Sequence, residues 1–229
     1  MADLKSFNFG PLKDDLIRTL TKEFKDKNPY GDFYKVKEGD VVVDCGASNG
    51  IFTYSILDNK PKHVFCLEPS KALFPYLVKN TMGYPVTQIN KAITKGDGIT
   101  DDGGNVYADE GSYEMIKWKT FINRFGIDKI DYLKLDCEGG EYDIFTDSNI
   151  DWILDNVGCI VGEFHLGDAI LKEKFKHFRD NYIDKFKHVE VYSVDGVNIK
   201  WNMRNGMIDD SNTAFIDRYE EVIIHLSNG

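Results

Sequence analysis

VVVDCGASNG, residues 41–50, runs three valines into an acid and then into a turn holding Gly46 and Gly50. A short continuous apolar run bounded by turn residues reads as a strand buried on both faces, as in a parallel sheet. From residue 41 onward, short apolar runs alternate with helical patterns, the signature of βαβ units. The runs predict strands at 41–44, 63–67, 86–93, 131–135 and 157–164, with helices near 50–58, 70–81, 118–126 and 139–146. Ser70 stands where a side-chain cap would open the second of these helices.

On the N-terminal side, Leu12, Leu16, Leu20 and Phe24 recur at helical spacing and predict an amphipathic helix over 12–26 that covers one end of the sheet. The chain then divides into a helical extension, 1–37, and a main domain, 38–229. A later helix carries Leu171, Phe175, Phe178, Tyr182 and Phe186 on one face. HVEVYSV (188–194), the turn pair Asp195-Gly196 and the alternating Val197, Ile199, Trp201 and Met203 predict a hairpin. EEVIIHL (220–226) reads as the last strand, lodged beside the sixth. The expected architecture is α/β: a three-layer sandwich around a mostly parallel sheet, with antiparallel strands at the C-terminal edge. The acidic, glycine-rich stretch 95–112 breaks the alternation and is expected to be a surface loop, or a cover for the substrate. It lacks the spacing of a calcium-binding EF-hand loop.

The 229 residues carry a formal charge of −10 and a pI near 5.0, with basic residues interleaved among acids. That balance opposes a phosphate backbone and an anionic membrane surface, and favours a small or neutral substrate. Cys45, Cys66, Cys137 and Cys159 form no CxxC pair and fit the role of small core hydrophobes. MADLKSFNFG has no apolar h-region and no window approaches a membrane span, so the expected setting is the cytoplasm.

Asp44 and the frame D-x-G-x-x-x-G separate two ligand classes. A dinucleotide would bring its pyrophosphate against a carboxylate at that strand end. S-adenosylmethionine carries an ammonium and a sulfonium and no phosphate, and Gly46 would let backbone lie close to it. Glu68 ends the second strand, where an acid can accept both ribose hydroxyls. In IDYLKLDCEGGEYDIF (130–145) a buried strand ends at Asp136 and is followed by Glu138 and Glu141. CIVGEFHLG delivers Glu163 and His165 to the same sheet edge. The macrodipole explains acids at a helix start, but not this convergence. NPY (28–30) partly matches the NPPY tetrad of amino-methyltransferases, yet lacks its second proline and precedes the first core strand.

VVVDCGASNGIFT, VFCLEPS, INKAI, IDYLKLDCEGGEYDIF and IVGEFHL, in that order over residues 38–167, resemble the FkbM family of methyltransferases. The resemblance implies a class I, Rossmann-like methyltransferase fold with a seven-stranded sheet, S-adenosylmethionine as donor, and O-methylation of a sugar, glycan or secondary-metabolite hydroxyl. It implies that Asp44, Gly46, Ser48 and Gly50 shape the donor turn, that Glu68 holds the ribose, and that Ala92 and Ile93 lie near the adenine. Asp136 belongs at the donor's reacting end. The family usually has Asn where Ser48 stands, which implies weaker donor affinity.

An alcohol acceptor calls for a general base, and His165, with an unperturbed pKa near 6.5, is the first candidate, ahead of Glu138. Asp136, Glu138, Glu141, Glu163 and His165 could instead hold a divalent cation that activates the hydroxyl. Two rivals remain: a non-catalytic donor-binding or partner-binding module on the same fold, and a nicotinamide-dependent dehydrogenase. Tyr30, Phe33, Tyr34, Tyr107, Tyr113 and Trp118 could stack on an acceptor or fill the core. The oligomeric state is not legible.

Overall fold

The computed structural model describes residues 4–26, 30, 34–100, 112–194, 196–199 and 219–228. Its centre is the strand the valines predict, β1 (Val41–Cys45). It pairs in parallel with β2 (His63–Leu67) on one side and with β7 (Ile130–Leu135) on the other. Side chains alternate between faces along a strand, and here each face meets its own core. Val42 packs with Phe52, Ile56 and Leu77, whereas Val43 and Cys45 join Phe121, Leu133 and Ile160 on the far side.

The main sheet has seven strands in the order β3-β2-β1-β7-β8-β10-β9, where β3 is Val86–Ile89, β8 Val157–His165, β9 His188–Ser193 and β10 Glu221–Ser227. The antiparallel pairings fall at the C-terminal edge, as expected, and all come from one reversed strand. β10 pairs antiparallel with both β8 and β9, so β9 runs with the parallel strands. Reversal puts the start of β10 at the carboxyl edge of its neighbours, with Glu221 opposite His165.

The helices are α1 (Asp14–Asp26), α2 (Ile51–Ile56), α3 (Phe74–Thr81), α4 (Trp118–Phe125), α5 (Ile150–Asn156) and α6 (Ala169–Asn181). The N-terminal residues share the domain's core: Leu4, Phe7, Phe24 and Tyr30 pack with Val42, Phe52 and Tyr132.

Several expectations shift. The 86–93 run splits: β4 (Ala92–Thr94) leaves the main sheet for a small one, pairing with β6 (Tyr113–Lys117), itself flanked by β5 (Gly98–Thr100). Part of the expected loop 95–112 is therefore strand, and residues 101–111 lie outside the described ones. The expected helix at 139–146 is a single 3-10 turn, Glu141–Asp143, because Glu138 and Gly139 both take positive φ, 53° and 99°. Ser70 caps a turn ahead of α3 rather than α3 itself, its Oγ accepting from the Leu73 amide at 3.1 Å. α6 ends at Asn181, so Tyr182 and Phe186 follow it through a 3-10 turn, although both stay in the core. The hairpin begins as expected: Val191 O accepts from Ile199 N at 2.8 Å, and Ile199 is buried. Asp195, Trp201 and Met203 lie outside the described residues.

Candidate active site

A cleft of about 900 Å³ opens along the carboxyl edge of the sheet. Strands lie about 4.8 Å apart, so the five strand ends from β2 to β10 spread their residues over roughly 20 Å. In sheet order those residues are Glu68, then Gly46 to Ser48, then Asp136 to Gly140, then Glu163, then Glu221, all on the cleft wall. Ala92 and Ile93 of β4 line it from the small sheet, and Leu16, Leu20 and Phe24 of α1 from the N-terminal side.

The turn after β1 is fixed by contacts no larger residue could make. Gly46 has φ +75°, and a Cβ there would sit 1.6 Å from the Asp136 carbonyl oxygen. The amides of Gly46 and Ala47 both donate to Leu67 O at 3.0 Å, tying the turn to β2. Gly50, at φ +88°, precedes α2, where a Cβ would press to 2.9 Å from Leu77. Ser48 is also left-handed, at φ 52°, a conformation Asn tolerates better than Ser. Glu68 clamps the turn: its two oxygens accept from the Ser48 and Ser70 amides at 2.7 Å each. Burial pushes the Glu68 carboxyl up to about 7, against the pull of those two amides.

Asp44 faces inward rather than into the cleft. It is fully buried, accepts from Thr53 Oγ1 at 2.7 Å, and stands 3.3 Å from Lys134 Nζ. Asp44 and Lys134 are register partners on β1 and β7. The ammonium also lies 3.5 Å from Asp136 and donates to Gly46 O at 2.7 Å. Burial lowers the Lys134 pKa, but Asp44 and Asp136 outweigh it and hold the amine charged. Asp44, expected to serve the donor from the strand end, is instead buried against a lysine. A Lys inside the apolar run IDYLKL was the signal, since a buried charge needs a partner.

After β7, DCEGGE folds back on itself around Glu141, which is fully buried. Its carboxylate accepts from Cys137 N at 2.6 Å and Gly139 N at 2.9 Å, and meets His165 Nδ1 at 3.0 Å. Lys174 of α6 donates to Gly139 O at 3.2 Å. His165 Nε2 lies 3.4 Å from Glu138. Burial works against its charge, but the Glu141 hydrogen bond and the Glu141, Glu138 and Asp136 charges prevail, pushing His165 up to about 10. His165 is not on the cleft wall, and its acidic neighbours favour the charged ring over the neutral imidazole expected of a general base. Ligand atoms of Asp136, Glu138 and His165 lie within 4.8 Å of one another, as do those of Glu163, His165 and Glu221, and Glu141 stands behind His165 as its hydrogen-bond partner.

Tyr30, within the NPY stretch to which the sequence assigns no motif, stands on the cleft wall. Its hydroxyl lies 3.1 Å from Asp136 Oδ2 and 3.1 Å from Glu163 Oε2. Its ring packs edge-on against Phe52, with Lys134 Nζ 5.4 Å from the ring centre. Burial, then Asp136 and Glu221, push Glu163 up to about 8. Burial likewise raises Glu138, partly offset by His165. Of the other aromatic candidates, Tyr113 lines the cleft, Tyr34 stacks on Tyr132, and Trp118 is core. Phe33 and Tyr107 lie outside the described residues.

A glycine turn, a strand-end acid on the next strand and an acid-lined loop on the strand beside it, on a seven-stranded sheet with one reversed strand, define a class I methyltransferase that uses S-adenosylmethionine. The chain belongs to the FkbM methyltransferase family, whose domain model matches residues 44–189. Among curated protein sequences none matches significantly. Solved structures of similar outline include an rRNA methylase from Streptococcus thermophilus, 10% identical over 95% of this chain and 99% of that one, with a TM-score of 0.47. Precorrin-6y C5,15-methyltransferase from Geobacter metallireducens is 12% identical over 97% and 100%, with a TM-score of 0.46. Precorrin 8w decarboxylase from Methanobacterium thermoautotrophicum is 16% identical over 99% and 96%, with a TM-score of 0.43. At that distance no acceptor carries over from any of them.

Proposed function

We propose that the chain O-methylates an uncharged hydroxyl on a small molecule or carbohydrate. The observation that carries this reading is the order of groups along one cleft: the Glu68 and Gly46 turn, then Asp136, then a further run of acids. The cleft's chemistry fits the donor, with backbone exposed at Gly46 and a carboxylate pair of acceptors at Glu68. Bound S-adenosylmethionine supplies an electrophilic methyl on a sulfonium. In this reading Gly46, Ser48 and Gly50 shape the turn against the donor, with Asp44 supporting them through Lys134. Glu68 accepts from the ribose hydroxyls, Ala92 and Ile93 flank the adenine, and Asp136 stands at the reacting end.

Holding the acceptor oxygen in line with the methyl carbon can lower the barrier by about 7–11 kcal/mol, so positioning is the protein's first task. Removal of the hydroxyl proton adds roughly 10²–10⁴-fold. We assign that proton to the Asp136 carboxylate. Glu138 is placed to orient the acceptor, and His165 to hold Glu138 and Glu141 rather than to act as base. The carboxyl groups of Asp136, Glu138, Glu163 and Glu221 gather at this end of the cleft, with Lys134 paired to Asp136, which disfavours a phosphodiester and supports an uncharged acceptor over nucleic acid. A cytoplasmic setting suits the four free thiols. Among the described residues no helix is long and apolar enough to cross a membrane.

Transfer of tritium-labelled methyl to a panel of sugars, glycosides, hydroxylated metabolites and RNA tests the reading. Label is expected in an uncharged hydroxyl compound, and label in RNA would overturn the acceptor class. Donor binding with no transfer to any acceptor would favour the non-catalytic module.

A further inference from the structure

The apolar stripe of α1 does not lie wholly on the core. Phe24 is buried with Val42 and Phe52, and Leu20 packs against the same cluster. Leu16, one turn further out, is 44% exposed and lines the cleft. A helical stripe at this spacing ordinarily rests on protein. Here its outer part faces the space a ligand would fill. Two more exposed apolar side chains line the same cleft: Ile170, 71% exposed in the first turn of α6, and Val194, 55% exposed just after β9. Single apolar residues scattered over a surface are ordinary, but three on the walls of one cavity make an apolar ligand surface.

Their place along the sheet assigns them to one end of the cleft. Ile170 follows β8 and Val194 follows β9, and both strands lie beyond β7 on the side away from Glu68. They therefore border the end where Asp136, Glu163 and Glu221 gather rather than the ribose end. In the proposed site the donor takes the strand ends from β2 to β7, which leaves these side chains to the acceptor. A wholly polar acceptor would gain nothing from them. We propose that Leu16, Ile170 and Val194 seat an apolar arm of the methyl acceptor, so that the substrate is amphipathic: a hydroxyl that reaches Asp136, carried on a body with several adjoining carbons free of polar groups. The proposal rests on the methyl-transfer reading above and narrows its acceptor class. Glycosides with an apolar aglycone and hydroxylated aliphatic or aromatic compounds come ahead of free sugars and polar glycans. The three residues set specificity by contact with that arm and take no part in the chemistry.

Titration calorimetry with glucose and with n-butyl, n-hexyl and n-octyl glucoside, each below its micelle concentration, tests the seat without donor or turnover. Affinity is expected to rise with chain length, by up to about fourfold per methylene that leaves water. Leu16→Ser and Ile170→Ser should each flatten that rise, and because both side chains are exposed, neither change should disturb the fold. Met82→Ser removes an apolar side chain that is 74% exposed and outside the cleft, and should leave the rise unchanged. No binding of the octyl compound, or equal affinity for it and glucose, would overturn the proposal. A rise that survives in Leu16→Ser or Ile170→Ser, or that is lost in Met82→Ser, would overturn it too, since the chain would then lie elsewhere on the surface. Donor titration of the same wild-type sample separates the two readings. Failure to bind donor sinks methyl transfer, and the acceptor role with it, whereas normal donor binding with no response to chain length sinks only the apolar seat.

Discussion

Glu68 shows how one side chain sets both the shape and the pH response of the site. Its two oxygens already hold the Ser48 and Ser70 amides, and each keeps a lone pair for a ribose hydroxyl. In the proposed donor site only the ionised form would accept from both hydroxyls, and burial pushes its carboxyl up to about 7. Donor affinity should therefore be level above pH 8 and weaken by up to about tenfold per unit below 7, as the carboxylate takes up a proton. Calorimetric titration with S-adenosylmethionine at pH 8 and pH 6 checks this, and Glu68→Gln should flatten the difference. The place of Glu68 on the cleft wall was legible because an acid closing the second strand of a parallel sheet falls at the sheet's carboxyl edge. Tyr30 was not, because nothing local in NPY says that the chain brings its hydroxyl to acids more than a hundred residues away.

At the scale of elements, β1 and β7 are joined by charge as well as by backbone. Asp44 and Lys134 face each other across the pair, out of water. Removing one partner of a buried pair typically costs about 3–5 kcal/mol, since the other charge is left uncompensated. Lys134→Met should lower stability by that order in urea denaturation, and Asp44→Asn combined with it should recover much of the loss. The long apolar runs gave β1, β2, β7 and β8 away, since a strand buried on both faces needs them. The break between β3 and β4 was hidden because VTQINKAI keeps its apolar spacing while the chain changes sheets at Asn90 and Lys91. The 139–146 segment failed as a helix for a reason written in its glycines. Gly139 lies against Leu171 at a positive φ, and Glu141 serves the loop's amides instead of opening a helix.

Across the whole molecule the parallel half of the sheet builds the donor end of one cleft, and the reversed strand extends it. β10 brings Glu221 to the edge where β8 brings Glu163 and His165, so the acids gather beyond Asp136. The N-terminal residues close the other wall through α1 and Tyr30, which makes them part of the site as well as of the core. The central claim is that this cleft binds S-adenosylmethionine with Glu68 on its ribose. Titration calorimetry of the donor into wild-type protein and Glu68→Ala at pH 8 tests it most directly. Hydrogen bonds to a charged group are worth about 1.5–3 kcal/mol, so saturable wild-type binding that weakens roughly ten- to hundredfold in the variant is the predicted result. A folded wild-type protein that takes up no donor, or a variant that binds as tightly as wild type, would contradict it.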